Sequence, residues 1–547
     1  MRHFPELFET LLKERGISPE EAEDFLSPDY EKLHDPLLLP DMEKARDRLI
    51  EAVRQGEHVT VFSDYDADGI PGAVVLSDFF RRLNYENISF YIPHRHEEGF
   101  GLSLEVIEEC LRRGTKLLIT IDCGVVDFDE VAFAQKNGID VIITDHHRPK
   151  AGLPEAFAII NPNREDSAYE FKELCGSAVV FKLVQAVMNA DTLGVKPGME
   201  KWSLDMVAIA TLSDMVPLLG ENRIVSRFGL EVLRKSPRPG LAALFKRARL
   251  DQRNLTEDDV VFMITPRINA ASRMGVSEDA LKLLRTNDLL EAERLSAHLE
   301  TINNQRKGVV AALVKEAKAH LAQRDDIPEV IVIGNPEWRP SLLGLVANSL
   351  VEEYARPAFV WGRDGNGTLK GSCRSCNGFD LTLLMSATKD SFIEAGGHPG
   401  AGGFSVTLES LATLEEKLSE ALGSLGEAKF EAEEKILDIG ISDIGEKLWE
   451  TVSLFAPFGV GNRKPVFKIP RAEIKAVKKF GKEGNHLEVL LNGGNREVKA
   501  ISFFSSPESF SARLLPGEKV DLLANLEKSY FGSRPELRLR IVDILQI

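Results

Sequence analysis

A chain of 547 residues is too long for one hydrophobic core, and 43% hydrophobic with 28% charged residues excludes a disordered or collagen-like polymer. No apolar run reaches the roughly 18 residues that a membrane span needs, and the opening residues lack a signal-peptide layout, so a soluble, cytoplasmic protein with no membrane attachment is expected. The net charge of −18 disfavours a polyanionic partner for the surface as a whole, and five scattered cysteines (Cys110, Cys123, Cys175, Cys373, Cys376) suit reduced thiols.

In chain order, a helical lead-in, DMEKARDRLIEAVRQG, precedes five short β-rich runs separated by helical segments: VTVFSD, ISFYIP, LLITID, VIITDHH and AFAIINP. That alternation predicts an α/β domain with a parallel sheet covered on both faces. From 288 to about 323 there are almost no helix breakers, and Leu295, Leu299, Ile302, Val309 and Leu313 recur every three or four residues, which predicts one long helix. A second α/β pattern follows: EVIVIG, the helical SLLGLVANSLVEEYA, PAFVW, GTLKGSC and the glycine cluster GGHPGAGG. After Ile436 come five short strand-like runs that suit an OB-like β-barrel. Two stretches run against the acidic balance: Arg234, Lys235, Arg238, Lys246, Arg247, Arg249 and Arg253, then Arg463, Lys464, Lys468, Arg471, Lys475, Lys478, Lys479 and Lys482. Each is either a solvated face or a phosphate contact.

The sharpest chemical feature is SDYDADGIPG, with Asp64, Asp66 and Asp68 at alternate positions after a strand. In extended chain these side chains share one side at roughly 6 to 7 Å spacing, where like charges need a cation between them. An EF-hand is excluded, because the twelfth position is Val75 where a calcium loop needs Glu, and a strand comes before it. Asp122 ends LLITID, Asp145, His146 and His147 end VIITDHH, and Asp214 follows a helical stretch in TLSDMVPL. Strand carboxyl ends are where α/β sheets bind ligands. Mixed carboxylate and imidazole donors favour Mn2+, with Mg2+ the other candidate, and so many acids suit two ions. Such a pair about 3.5 to 4 Å apart can hydrolyse phosphate esters.

These residues resemble the four motifs of the DHH phosphoesterases: DYDADG, the Asp of TIDCG, TDHH and the Asp of SDMVPL. Within that superfamily the whole chain resembles the bacterial single-strand-specific 5′ to 3′ DNA exonucleases, through HDPLLLPDMEKA, PHRHEEGFGLS, PRINAASRMG, GSCRS, GGHPGAGG and PFGVGN. The resemblance implies metal ligation by Asp66, Asp68, Asp122, His146 and Asp214. Asp64 and Asp145 would stand in the catalytic group beside His147, a transition-state or leaving-group partner. Ser372 and Arg374 would hold a 5′ phosphate, Arg95, Arg267, Asn269 and Arg273 would line the strand path, and His398 would stand beside the glycine cluster. The implied layout is a lead-in (1–45), a parallel-sheet DHH domain (46–235), a helical linker with the long connecting helix (236–325), a DHH-associated α/β domain (326–430) and the OB-like barrel (431–547).

Single-stranded DNA is the expected substrate, in recombination and repair, with a helicase and a single-strand-binding protein as partners and a monomer as the expected state. Phe467 and Phe480 are candidate stacking residues of the barrel, each equally suited to its core. One alternative is a DHH hydrolase of short RNA, cyclic dinucleotides or pyrophosphate; another is a catalytically silent strand-binding protein. Ser63, Pro71, Arg339, Ser341 and Arg463 depart from the family pattern, and Pro71 removes one backbone donor near the first motif. Cys373 and Cys376 form a CxxC without the second pair that a zinc site needs.

Overall fold

The computed structural model describes residues 4–149, 152–365, 367–376, 378–425, 436–481, 484–494, 496–530 and 535–547; Lys482 of the second basic stretch lies outside them. The five apolar runs become strands β1 (Val59–Ser63), β2 (Ile88–Tyr91), β3 (Leu117–Ile121), β4 (Asp140–Thr144) and β5 (Ala158–Ile160). All pair in parallel, in the order β2-β1-β3-β4-β5. Alternate residues enter two cores. Val61, Ile119 and Ile142 pack with helices Met42–Gln55, Gly69–Arg82 and Gly176–Ala190, whereas Phe62, Leu118 and Ile143 meet Leu104–Arg112 and Phe128–Lys136. Chain direction across the sheet reverses at β1 and β3, which opens a crevice beyond their carboxyl ends.

The segment 236–325 is not a separate unit. Leu244, Ile268, Leu283, Leu295 and Leu299 belong to the same core as the first sheet. The helix Met42–Gln55 also runs across the expected boundary after residue 45. Earlier still, Phe8, Leu11 and Leu12 of helix Pro5–Glu14 pack into the C-terminal barrel's core with Phe455 and Phe467. The long helix is present as Leu289–Leu321, started by Asp288, whose carboxylate accepts the Glu291 amide at 2.7 Å. Its first part is buried at Leu295 and Leu299 and its end at Ala317 and Leu321, the latter pair in a core of the second lobe.

That lobe holds β6 (Ile331–Gly334), β7 (Ala358–Arg363), β8 (Leu369–Arg374), β9 (Glu394–His398) and β10 (Ala401–Val406), in the order β6-β7-β8-β10-β9. Only β6 and β7 run parallel; the others are antiparallel, so the second sheet is mixed. GGHPGAGG forms the β9–β10 hairpin, and a helix the sequence reading did not anticipate, Leu408–Leu425, packs Leu414 and Leu418 beneath the sheet.

In the C-terminal region a short β11 (Leu437–Asp438) joins β12 (Phe467–Phe480), β13 (His486–Asn492), β14 (Glu497–Ser502), β15 (Lys519–Ser529) and β16 (Glu536–Gln546). The β12–β15 and β14–β16 pairings close the last five into a barrel. Its anchor to the first lobe is polar and specific. Arg223 donates to the carbonyls of Phe25, Phe455, Ala456 and Pro457, Leu218 N donates to Val460 O, and Glu257 accepts the Phe458 amide. Among the described residues no helix is long and apolar enough to cross a membrane.

Candidate active site

The first motif does not stay extended, as the alternate-residue argument assumed. β1 stops at Ser63, the chain turns, and Asp68 immediately precedes helix Gly69–Arg82. Asp66 Oδ1 makes the turn by accepting the amides of Asp68 at 2.7 Å and Gly69 at 3.2 Å. A side chain at position 69 would bring its Cβ within 2.4 Å of the Asp64 carbonyl oxygen, so only glycine fits there. The three carboxylates therefore converge by a turn rather than along a strand face. Pro71 lies in the first turn of that helix, where a missing amide hydrogen costs no intrahelical bond.

Asp68 is buried at the start of helix Gly176–Ala190, accepting the amides of Gly176 at 2.7 Å and Ser177 at 2.8 Å. Asp122 leaves β3 with a left-handed φ of 61°. Its carboxylate presses so closely on the same helix that a Cβ on Gly176 would lie 2.6 Å from Asp122 Cβ. Asp145 is fully spent inside the protein: Oδ2 accepts the Val125 amide, and Oδ1 accepts the amides of His146 and His147 and faces His147 Nδ1 at 2.8 Å. It positions the histidines rather than offering a free oxygen. Asn163 and Asn161 fix the next two peptides by donating to the carbonyls of His146 and His147. Asp214 caps helix Leu204–Ser213 from its C-terminal end.

These elements bring the donors into three overlapping groups, each with ligand atoms within 4.8 Å of one another: Asp64, Asp66 and Asp122; Asp68, His146 and Asp214; Asp122, His146 and His147. Asp64 Oδ1 and Asp122 Oδ1 are buried without a hydrogen-bond partner among the described residues. His146 Nε2 stands 3.1 Å from Asp122 Oδ1, yet the two do not form a hydrogen bond. Buried acceptors left unsatisfied cost about 1 to 3 kcal/mol each, more for charged groups. Orphaned oxygens and an imidazole nitrogen aimed at one space are a donor set that fits divalent cations.

The electrostatics agree. Burial, then the neighbouring Asp68, Asp66, Asp64 and Asp214, push the Asp122 carboxyl well above its usual range. Burial and Asp66 raise Asp64 similarly, with Arg95 opposing. Asp214 is pushed up to about 8 by burial and then by Asp68 and Asp66. Burial works against protonation of His147, but its hydrogen bond to Asp145 together with the charges of Asp145, Asp214 and Asp68 raises it to about 9.

The expected phosphate contacts divide. The Arg95 guanidinium lies 4.8 Å over the Tyr65 ring, beside the first motif. Arg273 bonds the Ser341 carbonyl, while its own carbonyl receives Ser341 Oγ at 3.1 Å and faces His96 Nε2 at 3.0 Å. Arg374, at the end of β8 beside Ser372, lies against Gly344 of helix Pro340–Tyr354. Arg95, Arg306 and Arg374 are all close enough to Arg273 to act on its charge, so guanidinium groups from both lobes and the connecting helix gather together. Arg306 was missed in the sequence because nothing in NNQRK marks it, and neighbouring Asn303 is likewise buried with both polar side-chain atoms unpartnered among the described residues. Asn269 instead steadies the first motif, accepting the Ala67 amide at 2.9 Å. Arg267 is committed to Glu300 at 2.6 Å, and His398 is exposed on edge strand β9.

Four residues of the first basic stretch are engaged within the protein: Arg238 is paired with Asp205 and Asp78, Arg234 with the Leu255 carbonyl, and Lys246 and Arg247 with Glu293, whereas Lys235, Arg249 and Arg253 are exposed. Cys373 is buried against Met385 and belongs to no metal-ligating group among the described residues.

A parallel sheet with clustered acidic and histidine side chains at its carboxyl ends, followed by a second lobe on a long helix, defines a DHH-class protein. Residues 58–211 match the DHH family N-terminal domain, 328–424 the DHHA1 domain and 437–543 the RecJ OB domain. The chain is 33% identical to the single-stranded-DNA-specific exonuclease RecJ of Bacillus subtilis (strain 168), over 99% of this chain and 68% of that one. It is 31% identical to the Haemophilus influenzae RecJ, over 93% and 91%. It therefore belongs to the RecJ family. The crystal structure of Thermus thermophilus RecJ in complex with Mn2+ superimposes with a TM-score of 0.80 at 27% identity, covering 99% of this chain and 76% of that one. The Mg2+ complex of the same protein gives 0.75 at 25% identity, covering 99% and 74%.

Proposed function

We propose that this protein is a metal-dependent exonuclease that degrades single-stranded DNA from its 5′ end to mononucleotides, in recombination and repair. The observation that carries the reading is the gathering of Asp64, Asp66, Asp68, Asp122, His146 and Asp214 around buried oxygens that have no protein partner among the described residues. Asp66, Asp68, Asp122, His146 and Asp214 would hold Mn2+ or Mg2+, with Asp64 alongside. When bound, such ions lower the pKa of water and neutralise phosphoryl charge.

The chain's own groups do the rest. Asp145 locks the Nδ1 side of His147, which leaves the other ring nitrogen to donate to the departing oxygen. Arg95, Arg273 and Arg374, with Ser372, supply forked and hydroxyl donors for a terminal phosphate, and Arg306 adds a further positive charge. The 5′ polarity rests on the likeness of GSCRS to the family motif. In this scheme the first lobe, from helix Met42–Gln55 to the buried first part of the long helix, forms the catalytic unit, with the second lobe and the barrel holding the strand. The protein works as a monomer on ends exposed by a helicase or released by a single-strand-binding protein.

The test uses Mn2+ with end-labelled single-stranded DNA, duplex DNA and short RNA, beside Asp122→Ala. Loss of 5′ label from single strands, at least a thousandfold slower in the variant, is expected. Preferential cleavage of short RNA would refute the assignment.

A further inference from the structure

We infer that Asn222 is a positioning residue for the metal centre: its side-chain amide ties the loop that begins at Asp214 to the strap that leads into Gly176, and so sets the gap across which Asp214 faces Asp68. The inference rests on the metal-dependent reading above and adds a residue that touches neither the ion nor the strand.

The gap matters because one donor group spans it. His146 Nε2 stands 3.8 Å from Asp68 Oδ2 and 3.8 Å from Asp214 Oδ2, and a ligand atom from each of the three residues lies within 4.8 Å of the others. The two carboxylates reach that space in different ways. Asp68 is gripped directly, by the Gly176 and Ser177 amides at 2.7 and 2.8 Å. Asp214 stands at the end of its helix, where the chain turns away through Met215 with a left-handed φ of 58°. Met215 is 62% exposed, so little of the protein packs on the residue next to Asp214. Whatever steadies Asp214 on that side must act from further along the loop.

Asn222 acts there. Its Nδ2 donates to the Pro217 carbonyl at 3.1 Å and to the Glu173 carbonyl at 2.5 Å. Pro217 lies three residues after Asp214, and Glu173 three residues before Gly176, so one amide group joins both approaches to the site. The side chain is fully buried, and its Oδ1 has no partner among the described residues. An unsatisfied buried acceptor costs about 1 to 3 kcal/mol, which an apolar side chain of the same size would avoid. Packing alone is therefore a poor account of an asparagine here. What it supplies is the pair of donor bonds.

Its neighbours make the tie rigid. Glu221 accepts Lys182 Nζ at 2.6 Å and the His34 amide at 2.9 Å on one oxygen, and the Tyr169 hydroxyl donates to the other. Lys182 belongs to helix Gly176–Ala190, so the start of helix Gly220–Leu233 is pinned to the same helix that grips Asp68. The barrel supplies a further contact: Leu218 N donates to the Val460 carbonyl at 2.7 Å, and a Cβ on Gly459 would lie 2.8 Å from Leu218 Cδ1. Asn222 is thus a fixed point from which the Asp214 loop is held.

Full-length protein without DNA, titrated with Mn2+ and read by the EPR signal of the free ion, measures the effect on the centre itself. Asn222→Ala should raise the Mn2+ dissociation constant about tenfold, the lower end of what groups that orient metal ligands contribute. Asn222→Leu keeps the volume and loses both donors, so it should show the same rise in a protein whose core stays filled. On the oligonucleotide dT20 at limiting Mn2+, kcat should fall about tenfold while KM for the strand stays within about twofold, and excess Mn2+ should restore kcat. Arg223, the next residue, bonds neither approach. Arg223→Ala should lower the melting temperature yet leave the Mn2+ dissociation constant within about twofold of wild type. Wild-type Mn2+ affinity in either Asn222 variant overturns the inference. An equal loss of affinity in Arg223→Ala overturns it too, because the effect would then be one of general loosening. A wild-type protein that binds no Mn2+ would instead overturn the metal-dependent reading, and the role of Asn222 with it.

Discussion

Asp122 carries the conflict at the heart of the site: it is buried, and one of its oxygens has no partner among the described residues. Without metal, Asp122→Asn should therefore stabilise the protein by about 1 to 3 kcal/mol while abolishing Mn2+-dependent activity, as read by melting in chelator and by a nuclease assay. A pH dependence follows from the same crowding. The folded-state pKa values of Asp64, Asp122 and Asp214 lie above the unfolded carboxyl value, that of Asp214 at about 8. Such groups support the fold fully below the unfolded pKa, and the support is lost as pH rises through the folded value. Melting in EDTA should accordingly fall between about pH 4 and 8, and the gain from added Mn2+ should widen over the same window as metal replaces protons. The proposed ligands could be placed from the sequence because each stands at a strand or helix end that the hydrophobic pattern reveals. The roles of Arg267 and Asn269 were not, because the partners that absorb them, Glu300 and Ala67, are brought close only by tertiary packing.

At the level of elements, the parallel sheet was readable because both-face burial leaves near-continuous apolar runs. The mixed character of the second sheet was hidden, since strand direction there depends on the β9–β10 hairpin and its glycines. The helix Leu408–Leu425 was missed although Thr407 marks its start, its hydroxyl accepting the Ser410 amide at 3.0 Å, and Leu411, Leu414 and Leu418 recur at helical spacing. What the sequence did not convey about the catalytic junctions is how tightly helices butt against strand ends. Gly69→Ala and Gly176→Ala place a methyl within 2.4 Å of the Asp64 carbonyl and 2.6 Å of Asp122 Cβ. Each should cost about 1 to 3 kcal/mol in stability and reduce kcat by more than KM rises, because the carboxylates shift while the strand path stays open. Chemical denaturation and steady-state kinetics together check this; a variant with wild-type kcat would show that the junction tolerates movement.

Across the whole molecule, the three regions are joined by few but specific contacts. Arg223 is 2% exposed, serves four backbone carbonyls from two distant segments, and stacks 3.7 Å from the Phe25 ring centre. Truncating it strands buried acceptors at the root of the barrel. Arg223→Ala should thus destabilise the protein by about 3 kcal/mol and split a single calorimetric transition into two, with the barrel melting first. A single cooperative peak at wild-type temperature would mean that the apolar contacts of Phe8, Leu11 and Leu12 alone suffice to couple the regions.

The connecting helix sets a further constraint. At about 1.5 Å per residue its 33 residues span about 50 Å, and between its two buried ends much of its surface is open to water. Such a rod acts as a ruler: adding one residue advances the second lobe by about 1.5 Å and swings it by about 100°, which would carry Arg374 out of reach of Arg273. Natural insertions should therefore gather in the loops and spare the shaft, since the spacing between the lobes is written in the number of helical turns.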